Sequence, residues 1–289
     1  MKAGRIQYSS VVHEALLFAS FALFVMGRPA LAQLVNENDT TLQKMDVVEH
    51  LGDTIPMDIP LIDDAGKATV TGDYFKEGKP VLLVLGYYSC PMLCNLVLNG
   101  VTEVAKKMSW APGQEYHILY VSIDPTETSV LAAAKKENYV ENFGKPETKD
   151  GWTFCVTSGS ESRRLADAVG FRYFYDERLK QYAHPAVLTI LTGSGVVSRY
   201  LYGIEYKERD LKLALLEASQ GRIGSTLDRI ILYCYHYDPT AGGYVVMAGN
   251  VMKLGGGLTL FGMALFLAFL WWREHKRKGI SSTAGHKAG

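Results

Sequence analysis

Two cysteines four residues apart, Cys90 and Cys94, are the side chains best placed to do chemistry. They lie in Cys90-Pro91-Met92-Leu93-Cys94, between an apolar run that reads as a strand and a stretch with helical spacing. A helix start carries partial positive charge and unpaired N–H groups, and both favour thiolate over thiol. Pro91 can open a helix without losing a hydrogen bond. Residues four apart face each other across one turn, about 5–6 Å between Cβ atoms. The two sulfurs can therefore close a disulfide or pinch one soft metal ion. A purely structural disulfide is the weaker reading, because so small a loop constrains the unfolded chain little.

A third ligand would separate thiol redox chemistry from metal binding. The best candidate is His184, in Tyr182-Ala183-His184-Pro185-Ala186 just ahead of a predicted strand. Two thiolates and one imidazole suit copper by ligand softness. The remaining histidines fit less well. His13 falls in an N-terminal apolar signal, His117 in a strand, His275 and His286 in the tail, and His50 in an unpatterned arm. Cys155, in the apolar run Trp152 to Val156, reads as a buried free thiol. Cys234, His236, Met247 and Met252 form a second group of copper-type ligands. The simpler reading of that group is an aromatic, glycine-rich segment packed on the domain. Asp124 reads as a turn or cap residue, and Arg163-Arg164 as a solvated helix face.

The elements that must hold this site alternate in type. Pro60 to Lys67 reads as a strand entering a turn, with Ala68 to Thr71 returning. Val81 to Tyr87 is continuously apolar, the mark of a strand buried on both faces. Asn95 to Met108 is helical, Tyr116 to Ile123 is a second buried strand, and Thr128 to Asn142 is helical. Trp152 to Val156 is a strand, and Ser160 is the expected N-cap of a helix over Glu161 to Val169. Val187 to Leu191 and Val196 to Leu201 pair through the turn Thr192-Gly193-Ser194-Gly195. Glu208 to Ser219 is an amphipathic helix. This order predicts an α/β layer with a mixed central sheet flanked by helices.

The chain has 289 residues and a formal net charge of zero, so nothing points to nucleic acid. Lys2 and Arg5, then the apolar run Ala15 to Met26, then Ala30-Leu31-Ala32 read as a signal peptide over 1–32. Residues 33–56 form an extended arm, 57–222 the α/β domain and 223–253 a membrane-proximal segment. Leu254 to Trp272 is free of charge and ends in Trp271-Trp272, as a transmembrane helix should. Arg273, Lys276, Arg277 and Lys278 follow, against Lys253 alone on the other side. The positive-inside bias then puts the tail, 273–289, in the cytoplasm and the domain outside the membrane.

Several of these segments, in order, resemble the SCO/SenC family. They are Leu61-Ile62-Asp63-Asp64-Ala65-Gly66-Lys67, Gly78-Lys79-Pro80-Val81-Leu82-Leu83, Gly86-Tyr87-Tyr88-Ser89-Cys90-Pro91 with Cys94, Val121-Ser122-Ile123-Asp124-Pro125, and the segment around His184. The resemblance runs from Pro60 to Leu201. It implies a thioredoxin-like fold and a membrane-tethered protein that binds one copper ion through Cys90, Cys94 and His184. It further implies a copper-receiving subunit of cytochrome c oxidase as partner, served as a metallochaperone serves its target, and a thioredoxin-like reductant. The chain departs from the family pattern at Met92, Leu93 and Asn95, where an acidic residue and a following proline are usual. It departs again at Ala183, where an aspartate is common, and in carrying its anchor at the C-terminus. The alternative function is an extracytoplasmic thiol–disulfide oxidoreductase. In it Cys90, expected to be the more exposed thiol, attacks and Cys94 resolves. A thiol peroxidase is a third reading.

Overall fold

A computed structural model describes residues 46–220, 226–238 and 243–284. The expected signal, most of the expected arm and the last residues of the tail lie outside them. The described residues belong to one compact unit, Lys44–Gly289. Its strands are β1 Pro60–Asp63, β2 Ala68–Val70, β3 Val81–Gly86, β4 His117–Ser122, β5 Trp152–Val156, β6 Phe174–Asp176, β7 Gln181–Ala183, β8 Val187–Leu191, β9 Val197–Tyr202, β10 Tyr235–Asp238 and β11 Gly243–Val246. Its helices are α1 Leu93–Lys107, α2 Ser129–Phe143, α3 Gly159–Ala168, α4 Glu208–Ala218, α5 Thr226–Cys234 and α6 Ala248–Ala284.

Seven strands form the central sheet in the order β2-β1-β5-β4-β3-β8-β9. β3, β4 and β5 run parallel, while β1 and β8 pair antiparallel at the two sides of that group. The mixed sheet predicted from the alternating pattern is therefore present, and the architecture is thioredoxin-like. β3 lies at the sheet's centre and every one of its residues is buried. Its side chains alternate between two cores, as the two-residue period of a strand requires. Leu82 and Val84 face one core with Val97, Val101 and Tyr120, while Val81, Leu83 and Leu85 face the other with Cys155 and Leu165.

Helix ends follow local chemistry. The Thr128 hydroxyl accepts from the Leu131 N–H and caps α2, which ends at Gly144 in the left-handed region (φ 78°). Lys106 and Lys107 close α1, where positive charge meets the negative end of the helix dipole. Helix α3 begins at Gly159, a half-turn before the start expected at Glu161, because the Ser162 N–H already bonds the Ser158 carbonyl. Asp124 makes a turn, its Oδ1 accepting from the N–H and hydroxyl of Thr126; the cap is Thr128.

Two features were not expected. Residues 46–56 lie along the domain, with Val48 N–H bonded to the Gly170 carbonyl and Ile55 N–H to the Gly195 carbonyl. The second is the β6–β7 hairpin, whose three-residue strands are too short to show a period. The Asp176 carboxylate ties its turn by accepting from the N–H groups of Arg178 and Leu179. Helix α6 contains one segment, Ala248–Arg273, long and apolar enough to cross a membrane, with none of its apolar window buried. The helix continues through Ala284, into the expected tail.

Candidate metal centre

Cys90, Cys94 and His184 come together although 90 residues separate Cys94 from His184. Their ligand atoms all lie within 4.8 Å of one another, and among the described residues this is the one such group of histidine, cysteine and acidic side chains. Strand β3 ends at Gly86, the loop Tyr87 to Met92 carries Cys90, and the first turn of α1 carries Cys94. The β6–β7 hairpin delivers His184 one residue after β7 ends. Gly86 is required here by contact: a Cβ would run into the Tyr120 hydroxyl and stand 3.1 Å from the Cys94 sulfur.

The imidazole is fixed on both sides. Its Nδ1 lies 3.0 Å from the Pro185 carbonyl, which can only accept, so Nδ1 carries the proton. That leaves the Nε2 lone pair facing Cys94 Sγ at 2.9 Å. Such an arrangement presets the tautomer a metal needs. The ring stacks on Phe171 and meets Tyr87 edge-on. His184 is 5% exposed, Cys90 7% and Cys94 4%, so neither thiol is markedly the more open. The expected exposure difference between the cysteines is absent because the aromatic loop and hairpin cover both.

The thiols are electrostatically unlike. Hydrogen bonding from the Cys94 thiol pulls the Cys90 pKa down to about 3, against burial, with further help from the N–H groups of Cys94 and Met92. The same hydrogen bond to Cys90, together with burial, pushes Cys94 up. Of the two, Cys90 is the readier to ionise and Cys94 the one that holds its proton. All four cysteines are unbridged. A direct consequence concerns alkylation of reduced protein by iodoacetamide, read at Cys90 by mass spectrometry. Its rate should stay nearly flat between about pH 5 and pH 8, where an ordinary thiol slows about tenfold per unit of acidification. A tenfold-per-unit fall over that range would show Cys90 to be a thiol.

A polar clamp holds the loop that carries Cys90. The Glu127 carboxylate accepts from the N–H groups of Tyr88 and Ser89 at 2.8 and 2.7 Å, and from the hydroxyls of Ser89 and Ser122, both at 2.6 Å. Lys135 donates to the Tyr88 carbonyl and to Asn95 Oδ1, while Asn95 Nδ2 donates to the Cys90 carbonyl at 3.0 Å. Asn95, one of the departures from the family pattern, thus links Cys90 to α2. None of these roles follows from residue type or spacing; each depends on a contact across the fold. Arg163 likewise exceeds the solvated role expected of it. It donates to the Tyr173 carbonyl and lies 3.6 Å over the Tyr173 ring, bracing the aromatic wall beside His184, whereas Arg164 pairs at the surface with Asp58 and Glu161.

The other sequence candidates fall elsewhere. Cys155 is fully buried in β5, 3.3 Å from the Tyr74 hydroxyl, and burial pushes its thiol up to about 12. His117 sits at the start of β4 with Nε2 3.4 Å from Glu77. His50 Nδ1 lies 3.1 Å from the Ala168 carbonyl. In the membrane-proximal group the Met247 N–H bonds the Cys234 carbonyl, but Met247 and Met252 point outward; the His236 side chain lies outside the described residues.

Comparison with known proteins agrees with this geometry. A family model described as SCO1/SenC matches residues 50–212, more than half of the chain. The mitochondrial SCO2 homologue of Bos taurus is 30% identical over 87 residues, which are 30% of this chain and 31% of that protein; the match thus spans about a third of the relative's length. A crystallised protein from Aquifex aeolicus VF5, described as a candidate for electron transfer, is 25% identical with a TM-score of 0.50, covering 58% of this chain and 94% of that one. Arabidopsis thaliana ScoI with copper bound is 19% identical with a TM-score of 0.43, covering 59% and 98%.

Proposed function

The chain belongs to the SCO1/SenC family, and from that premise we propose that it binds one copper ion at Cys90, Cys94 and His184 and delivers it to the copper centre of cytochrome c oxidase during assembly. The observation that carries this reading is the convergence of three soft, buried ligand atoms within 4.8 Å. Structural zinc requires four ligands in a tetrahedron, and no fourth histidine, cysteine or acidic side chain joins the group among the described residues. Copper accepts the set of two sulfurs and one imidazole nitrogen.

Each residue has a separate part. Cys90 offers a ready thiolate, so an arriving ion meets one charged ligand without waiting for deprotonation. Cys94 gives up its proton as its sulfur joins, and that proton leaves for solvent. His184, its Nδ1 hydrogen-bonded to the Pro185 carbonyl, turns Nε2 toward the ion. Release reverses the order by ligand exchange: donor groups of the receiving subunit replace these ligands one at a time in a docked complex. Membrane tethering by the apolar helix keeps the site near a membrane-bound target. The basic cluster after Trp272 supports a domain outside the cytoplasm, on the side where the oxidase copper centre is built. In the same proposal residues 57–222 form the copper-binding domain, 223–253 the membrane-proximal segment and 254–272 the spanning helix.

The thiolate–thiol asymmetry also favours a second reading, thiol–disulfide exchange. Cys90 sulfur would attack a target disulfide and expel one target thiolate, and Cys94 would then displace the other, leaving a Cys90–Cys94 disulfide and a reduced target. Mixing the copper-loaded full chain with the metal-free, reduced copper-binding domain of an oxidase subunit separates the two. The delivery reading expects copper to appear stoichiometrically on the subunit. No transfer, with rapid reduction of the disulfide form of the same subunit, would replace it by the second reading.

A further inference from the structure

The segment joining the domain to the apolar helix has two faces of different character. One is locked into the domain. Tyr237 and Tyr244 are buried in the core beneath α4. The Tyr237 hydroxyl donates to the Tyr200 carbonyl at 2.6 Å, and the Tyr244 hydroxyl donates to the Glu217 carboxylate at 2.7 Å. Arg209 donates to the Tyr244 carbonyl at 3.1 Å. The other presents apolar side chains among the described residues. Ile230, Ile231 and Tyr233 on α5, Val245 and Val246 on β11, and Met247 are each 37–56% exposed. Scattered exposed apolar side chains need no explanation, but six within residues 230–247 do.

We propose that this face, α5 with β11 and Met247, lies in the interfacial layer of the lipid bilayer and seats the domain on the membrane. The inference rests on the membrane-anchor reading of α6. Chain continuity argues for lipid as the occupant. Met247 immediately precedes α6, and the start of that helix is tied to α5: the Met247 N–H bonds the Cys234 carbonyl and Asn250 Nδ2 donates to the Tyr233 carbonyl. The charge-free stretch begins just past Lys253. At about 1.5 Å per residue, Asn250 stands roughly 5 Å and Met247 roughly 9 Å above Lys253 if the helix is upright. The headgroup layer adds roughly 5–7.5 Å on each side of the hydrocarbon core, so Asn250 stands within that layer and Met247 at its outer edge. Tyrosine at this level is the residue type that bilayer interfaces favour, with an apolar ring and a wet hydroxyl. The domain would then stand on two supports, one spanning helix and one interfacial face, with its orientation to the membrane fixed.

The test uses the full chain in phosphatidylcholine nanodiscs that carry a diazirine-bearing phospholipid, with adducts mapped by mass spectrometry. Adducts are expected within Ala248–Trp272 and, several-fold above those on the solvent-facing turn Glu177–Lys180, within 230–247. Ile231→Glu with Val246→Glu should lower the 230–247 adducts several-fold while leaving those on the spanning helix and the thermal unfolding of the domain unchanged. Adducts on the spanning helix with none above background at 230–247 overturn the inference and leave the anchor standing. Adducts on neither segment overturn the anchor reading itself. Protection of 230–247 that disappears when a single copy is placed in each disc would assign the face to a second copy of the chain and overturn the lipid proposal.

Discussion

Replacing His184 with alanine is expected to weaken copper(I) binding at least about a hundredfold. Loss of a mere outer-shell partner typically costs 10–100-fold, and this change removes a ligand. Nothing among the described residues stands ready to take its place, since no other histidine, cysteine or acidic side chain lies in the group. Alanine would also remove the ring contacts with Phe171 and Tyr87, so the change of affinity has to be separated from a change of packing. His184→Phe does this: it keeps a ring in the slot and carries no donor atom. Competition against a copper(I) chelator should show both variants equally impaired, with His184→Phe unfolding near the wild-type temperature. Cys155→Ser serves as a control with affinity unchanged, because that sulfur lies in the core beneath Tyr74 and outside the ligand group. Wild-type affinity in His184→Phe would remove the imidazole from the site and leave a two-sulfur centre.

How much of this was readable in the chain depends on how far apart the cooperating residues lie. The cysteine pair was legible because its chemistry is local: strand, loop and helix start follow one another in sequence. The buried strands β3 and β4 were legible because unbroken apolar runs have few other uses in an α/β layer. His184 was legible only as a residue type next to a predicted strand. What brings it to Cys94 is the β6–β7 hairpin, whose strands are too short for periodicity to register. Residues 46–56 read only as part of an extended arm because hydrogen bonds that hold them go to backbone groups more than a hundred residues away, such as those of Gly170 and Gly195. Such bonds carry no side-chain signature. Arg163 failed for a related reason: a guanidinium over a tyrosine ring and one in water look alike in sequence.

Glu127 is the clearest case of function hidden by distance, and it sets the second large expectation. Glu127→Ala should destabilise the domain by about 2–3 kcal/mol and weaken copper binding by roughly tenfold. Four donors converge on this carboxylate. They are not equivalent, because Ser89 is exposed and can turn to water, whereas Tyr88 and Ser122 are 2% and 0% exposed. Removal of the carboxylate leaves the buried Tyr88 N–H without its acceptor and the Ser122 hydroxyl with only the more distant Asp124 carbonyl at 3.4 Å, at about 1–3 kcal/mol each before relaxation. The consequence reaches the metal site through the backbone. Tyr88 and Ser89 immediately precede Cys90, and with their N–H groups released the loop is held on its other side by Lys135 and Asn95. Glu127→Gln isolates the role of the charge, since its amide keeps one acceptor oxygen but turns a donor toward groups that also donate. It should fall between wild type and alanine in both thermal unfolding and chelator competition. The double variant Glu127→Ala with Asn95→Ala should lose more copper affinity than the sum of the single changes, because each clamp compensates for the other when one is absent. Strict additivity would mean that the two sides of the loop act independently, with Glu127 contributing stability alone.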